Sequence, residues 1–218
     1  VNTPSSNHGF VLQDYTNPDD LSLCSSEYPN FGVRPGLRVT VQGQGQLIFR
    51  NGQNPTTAYA GTSDTTIATG TLAPNSSNWN RQGLSLDGSP NAAVTLIAFD
   101  VSPIPPWATV QGAALRLYVT RTSVDTYDAF EALRPWTEAA TWLTMDGTNA
   151  WGTAGASGPA DRGSLSLLTL DTQVLGERAF NLGVTGTQLV QDWVSGAKIN
   201  QGLIIANPTS QLQLDFQD

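Results

Sequence analysis

Two stretches of this chain, one near each end, spell the same strand–turn–strand phrase. Asn7-His8-Gly9-Phe10-Val11-Leu12 leads to Asn17-Pro18 and then Leu21-Ser22-Leu23-Cys24. Asn200-Gln201-Gly202-Leu203-Ile204-Ile205 leads to Asn207-Pro208 and then Leu212-Gln213-Leu214-Asp215-Phe216. After the first phrase the chain runs through Arg34-Pro35-Gly36 into Leu37-Arg38-Val39-Thr40-Val41, one more alternating strand. The second phrase stops before such a strand. A sheet short of one strand leaves a row of amides and carbonyls unpaired, and something must cover them. The sequence therefore predicts an assembly donor strand, Leu37, Arg38, Val39, Thr40 and Val41. It predicts an acceptor edge at Leu203, Ile204, Ile205, Leu212, Leu214 and Phe216.

Alternation of apolar and polar residues recurs along the whole length. Leu21-Ser22-Leu23, Leu84-Ser85-Leu86, Leu115-Arg116-Leu117-Tyr118-Val119, Leu165-Ser166-Leu167 and Leu212-Gln213-Leu214 fit half-buried strands. Val94-Thr95-Leu96-Ile97-Ala98-Phe99 and Gly202 to Ala206 are denser and read as central strands covered on both faces. Turn residues cluster between them at Asn51-Gly52, Pro74-Asn75, Asp87-Gly88 and Asp146-Gly147. Leu189, Val190 and Trp193 fall at helical spacing, with Thr185 or Thr187 as N-cap and Gly196 as stop, which predicts a two-turn helix. Residues 136 to 162 read as a long loop pinned by tryptophans. The fold class is all-β: an antiparallel, jelly-roll-like β-sandwich with one short helix near the C-terminal end. Gly43-Gln44-Gly45-Gln46 reads as a linker or strand-edge turn. It divides residues 1–45, an N-terminal segment, from residues 46–218, a sandwich lacking its closing strand.

Composition narrows the function classes. A formal net charge of −8 and a single lysine, Lys198, argue against nucleic acid and against an anionic membrane surface as partners. No apolar run is long enough to span a bilayer. Cys24 has no second cysteine to pair with and reads as a small buried residue. The Thr- and Asn-rich, Lys-poor composition suits an extracellular or cell-surface protein, and Val1 suits a mature or trimmed product.

Several of these stretches are similar to a known family. Tyr59-Ala60-Gly61-Thr62-Ser63-Asp64-Thr65-Thr66-Ile67 resembles the opening of the DNRLRE domain, the family 96 carbohydrate-binding module. So do Leu96-Ile97-Ala98-Phe99-Asp100-Val101-Ser102-Pro103 and Ala108 to Val119. Trp136-Thr137-Glu138 with Ala140-Thr141-Trp142, Ala160-Asp161-Arg162, and Leu189 to Val194 with Asn200 to Leu203 continue the match in order. It covers about residues 46 to 217, and residues 7 to 41 resemble the tail of a preceding repeat. The basic residues that name the domain are replaced by Asn91-Ala92-Ala93-Val94-Thr95. The resemblance implies a jelly-roll-like sandwich, often in tandem on secreted or surface proteins, with some members binding polysaccharide.

Chemistry-bearing residues give weaker signals. His8 is the sole histidine and reads as a turn residue; the acids are scattered, so no enzyme is expected. Asp146, Asn149 and Asp161 offer oxygens in tight loops and are candidate calcium ligands, the one cofactor considered, though no EF-hand spacing exists and Asp and Asn also cap turns by bonding their own backbone. Trp79, flanked by Asn78 and Asn80, is a candidate sugar-stacking ring, as is Trp151. Trp136 and Trp142 read as loop anchors. The expected function is a non-enzymatic extracellular structural subunit. It would assemble with other copies of itself, head to tail, into a filament or tandem array by β-strand complementation. The alternative is a polysaccharide-binding module of a larger secreted enzyme or adhesin. The missing strand can come from within the chain, from a neighbour, or from the next repeat of an array.

Overall fold

A computed structural model describes residues 10–13, 21–69, 83–86, 92–122, 126–171, 173–200 and 202–205. In chain order its elements are β1 (Phe10–Gln13), β2 (Leu21–Cys24), β3 (Gly36–Val41), β4 (Gly45–Phe49), β5 (Thr62–Ala68) and β6 (Gly83–Leu86). There follow β7 (Ala93–Phe99), β8 (Val110–Arg121), β9 (Thr126–Glu131), β10 (Leu168–Asp171), β11 (Gly176–Asn181), α1 (Gly183–Ser195) and β12 (Leu203–Ile205). They form an antiparallel β-sandwich with one helix near the C-terminal end. The first sheet runs β5-β7-β1-β9-β10, with β12 also on β9; the second runs β4-β3-β8-β2-β6, with β11 also on β8.

The dense apolar strand explains itself in this frame. Every residue of β7 is buried. Ile97 and Phe99 point between the sheets, where they meet Leu37, Val39, Leu115, Leu117 and Tyr127. Val94, Leu96 and Ala98 point the other way, into a second cluster with Phe130, Trp136, Ala140 and Trp151. Strict alternation is lost because both faces are dry. Each large side chain so buried contributes about 1.5–3 kcal/mol of transfer free energy.

Strand β8, twelve residues long, organises the second sheet. β11 pairs with residues 114–119 on one edge. On the other edge β3 covers residues 110–116 and β2 reaches Val119 and Arg121. β2 and β3 thus lie end to end along one strand, joined by an excursion through residues 25–35. Gly43-Gln44-Gly45 is a tight hairpin, with Val41 opposite Gly45 and the Gln44 N–H donating to the Val41 carbonyl at 3.1 Å. Gly43 and Gly45 both take positive φ there, where a side chain would strain the backbone.

The helix begins earlier than its apolar spacing predicts. It spans Gly183–Ser195, starts without a side-chain cap, and ends at left-handed Gly196 as expected. Leu189, Val190, Trp193 and Val194 are its buried face. Leu165-Ser166-Leu167 is not a strand. Ser166 Oγ donates to Asp128 Oδ1 (3.0 Å) and to the Leu168 carbonyl (3.1 Å), which turns the chain, and Leu165 is left 67% exposed. The alternation that pairs is the next one, Leu168-Thr169-Leu170 against β9.

Candidate assembly interface

The expected donor, Leu37 to Val41, is β3. It lies inside this chain's own sandwich, paired with β8 on one side and β4 on the other. Leu37, Val39 and Val41 are buried between the sheets. The expected acceptor is corrected by this placement. Leu203, Ile204 and Ile205 form β12 in the opposite sheet, paired with β9, so β3 does not add to them. Leu212, Leu214 and Phe216 lie outside the described residues. The edge that receives β3 is the first half of β8, Val110 to Arg116. Its sequence shows only a half-buried strand, and nothing in it marks which edge is open.

Residues 10–41 are woven through both sheets. β1 sits in the interior of the first sheet, with Phe10, Val11, Leu12 and Gln13 opposite Ile97, Leu96, Thr95 and Val94 of β7. On its other side the same four face Glu131, Phe130, Ala129 and Asp128 of β9. β1 joins the β5–β7 pair to β9–β10 in the strand order. Without β2 and β3, strands β6 and β4 would lose their attachment to β8.

The repeated phrase has a structural counterpart. Leu203, Ile204 and Ile205 face Glu131, Phe130 and Ala129, the same partners in the same register as Phe10, Val11 and Leu12. Ala129 also faces Leu168 of β10. A strand has two hydrogen-bonding edges, and β10 takes one. β1 and β12 therefore address the same remaining edge, and β12 lies against β7 as well. Entry to β12 is set by Asn200 and Gly202. Asn200 Oδ1 accepts the Gly202 N–H at 3.1 Å, Gly202 takes φ +78°, and its carbonyl accepts the Ala132 N–H at 2.7 Å. Asn7-His8-Gly9 places the same two residue types before β1.

A buried carboxyl cluster joins the N-terminal segment to the rest. Asp64 of β5 is 1% exposed and accepts the Ser26 N–H at 2.8 Å. Ser26 Oγ donates to Glu27 Oε1 at 2.5 Å, and Glu138 from the loop after β9 accepts the Asp64 N–H. Burial, reinforced by Glu27 and Glu138, pushes the Asp64 carboxyl well above its ordinary range against the opposing bonds from Ser26. Burial, then Glu27, raises Glu138 too. Arg34, whose Nε donates to the Tyr28 carbonyl at 2.7 Å, is the cation facing Glu27 and Asp64. Sequence reading missed this cluster: its members are far apart in the chain, and an Asp in an alternating strand gives no sign of its burial.

A second polar junction involves Arg50. Its Nη1 donates to the Gly32 carbonyl at 2.6 Å and its Nη2 pairs with Glu177 of β11, which also binds Arg116 Nη2 at 2.5 Å. Burial opposes ionisation of Glu177, but the two guanidiniums overcome it and hold its carboxyl below the usual range.

Of the candidate calcium ligands, Asp146 and Asn149 bond each other, and Asp161 is engaged separately by backbone N–H groups. Asp146 is half-buried and its oxygens accept the Thr148 N–H (2.9 Å), the Asn149 N–H (2.7 Å) and Asn149 Nδ2 (2.7 Å). These bonds hold its carboxyl low. Asp161 is fully buried and accepts the N–H groups of Gly152 (2.7 Å), Thr153 (2.8 Å) and Gly158 (3.2 Å), with Arg134 Nε at 3.2 Å. Both serve as turn organisers, with N–H donors where a metal would need free lone pairs. Among the described residues no group of three or more His, Cys, Asp or Glu could hold a metal ion.

Trp151 is corrected as a sugar platform: it is 6% exposed, in the outer cluster, and its Nε1 donates to the Thr141 carbonyl at 2.9 Å. Trp136 shares that cluster and Trp142 packs at its margin. Trp79, Asn78, Asn80 and His8 lie outside the described residues. The ring that sequence reading overlooked is Trp107, 80% exposed after Pro105-Pro106. Cys24 is buried, and burial pushes its thiol up to about 11. No helix among the described residues is long and apolar enough to cross a membrane. Comparison with protein-family models, curated proteins and solved structures returned no match.

Proposed function

We propose that this chain is a non-enzymatic extracellular structural subunit of DNRLRE type that assembles with copies of itself, head to tail, by β-strand complementation. In this structure residues 10–41 complete their own chain's sandwich, and what supports the reading is that these interior strands could be exchanged between copies. They supply β1 to the centre of one sheet and β2 and β3 to one edge of β8, yet a hairpin of three residues, Gln42 to Gln44, is their link to β4. Opening that hairpin would let the same strands make the same contacts in a neighbouring copy. Such an exchange costs little, because every pairing lost is regained. A contact between unlike surfaces of identical copies propagates along a line wherever its rotation does not close into a ring.

The test is sedimentation velocity across a concentration series, with electron microscopy of the same samples. The full chain should form linear polymers that grow with concentration. A chain lacking residues 1–42 should fail to join them and should aggregate. A full chain that stays monomeric at every concentration would overturn the reading and leave a self-completed sandwich. The polysaccharide alternative draws on Trp107, the one strongly exposed tryptophan among the described residues.

A further inference from the structure

One slot in this molecule has two fillers. The slot is the edge of β9 that faces β7, and the fillers are β1 and β12, matched residue for residue opposite Glu131, Phe130 and Ala129. The two are unequal. β1 pairs over four positions with both β9 and β7 and continues into β2 and β3. β12 pairs with β9 over three positions. We infer that β12 is a placeholder: it closes the central slot of a subunit that has donated its own N-terminal segment, and Phe10–Gln13 of a second copy displaces it.

The inference rests on the head-to-tail reading and explains a step that reading leaves exposed. A subunit at the end of a line has given residues 10–41 to its neighbour and has not yet received any. Its first sheet would then be split between β7 and β9, with buried amides and carbonyls open to water or to aggregation. A short segment of the same register, tethered through α1 and Asn200, closes the gap at high effective concentration. An incoming N-terminal segment then wins because it pairs on both sides and brings two further strands. Leu203 is fully buried in the core between the sheets, so the placeholder seals the interior as well as the ladder.

The test uses cysteines at directly opposed positions, in chains carrying Cys24→Ser. Such pairs in antiparallel strands sit about 4.5–5.5 Å apart at Cα, within disulfide reach. Chains carrying Leu12→Cys are mixed with chains carrying Ala129→Cys under mild oxidation. A disulfide-linked dimer is expected, and its absence overturns entry of β1 from a second copy. A chain carrying Ile205→Cys and Ala129→Cys should form an internal disulfide. Its polymer yield should fall about tenfold, returning on reduction, a change near 1.4 kcal/mol. If the internally locked chain polymerises as well as its reduced form, the placeholder is refuted while head-to-tail assembly stands. If no form polymerises, the assembly reading itself has failed. Should Ala129→Cys disturb the core, Glu131→Cys with Phe10→Cys or Leu203→Cys repeats both arms at a half-buried position.

Discussion

The N-terminal segment and the loop between Leu133 and Gly163 both pack side chains into the body of the sandwich, but they are held in opposite ways. The segment is fixed by main-chain ladders to strands remote in the chain: β1 to residues 94–97 and 128–131, β3 to residues 110–116. The loop is fixed largely by itself. Asp161 gathers N–H groups from positions 152, 153 and 158, Trp151 bonds Thr141, and the Met145 N–H donates to the Asn149 carbonyl at 2.8 Å. The strands of the segment take their ladder bonds from elsewhere in the chain, whereas the bonds of the loop run largely inward and it lies as a lid on the outer face of the first sheet.

The comparison can be broken at either side. Leu37→Ala empties a fully buried position of β3 and should cost about 2–5 kcal/mol. Chemical denaturation should show this loss as a single transition, because the segment belongs to both sheets; a separate early transition would contradict that. Asp161→Ala removes the acceptor of three backbone N–H groups and should cost about 2–3 kcal/mol. Here hydrogen exchange should rise in residues 133–163 first, with the sandwich core still protected. Gly155→Ala is expected to cost about 1–3 kcal/mol. Gly155 takes φ +75°, and an added Cβ would stand 2.4 Å from the Trp142 ring. Tryptophan fluorescence should report the shift of Trp142.

The buried carboxyl cluster, in which Glu27 of the segment meets Asp64 of β5 and Glu138 of the loop, gives their junction a pH dependence. Asp64 and Glu138 are both raised in the fold, so the native state binds more protons than the unfolded chain just above their ordinary values. Their contribution is present at acid pH and is lost as pH rises through the raised values. Glu177, held low by Arg50 and Arg116, acts in the opposite sense, losing its contribution as pH falls. Asp64→Asn keeps the oxygen that accepts the Ser26 N–H and removes the titration. Thermal melts between about pH 4 and about pH 8 should therefore fall less steeply for this variant than for the parent. An unchanged slope would place the dependence elsewhere. The smallest effect is expected at Trp107→Ala, within about 0.5 kcal/mol in stability. Its measurement is retention on polysaccharide affinity gels, and a clear loss of retention would revive the binding-module alternative.

Much of the architecture was legible because alternation and turn residues are local signals. β6, β7 and β8 lie where their sequences place them, and β7 is dense because a tryptophan-pinned loop dries its outer face. The helix was misjudged at its start because Leu182 leads into it without the side-chain cap that would mark the entry. Leu165-Ser166-Leu167 misled because the hydroxyl that looked outward-facing bonds Asp128 instead. Leu37 to Val41 and Leu203 to Ile205 are strands, as expected, but they lie in opposite sheets. Leu37 to Val41 and Leu203 to Ile205 each look like strands wanting a partner, but which partner depends on sheet order, and alternation carries no information on sheet order. The shared register of β1 and β12 was foreshadowed by Gly9-Phe10-Val11-Leu12 and Gly202-Leu203-Ile204-Ile205, whose likeness is a statement about one common address.

The interior position of β1 also bears on mechanical strength. A pull transmitted along Phe10–Gln13 runs parallel to the strand, while its hydrogen bonds to β7 and β9 lie across it. Both ladders must then shear together before anything slides. A subunit chain linked through this strand would resist tension as a rope does, by engaging all its fibres at once.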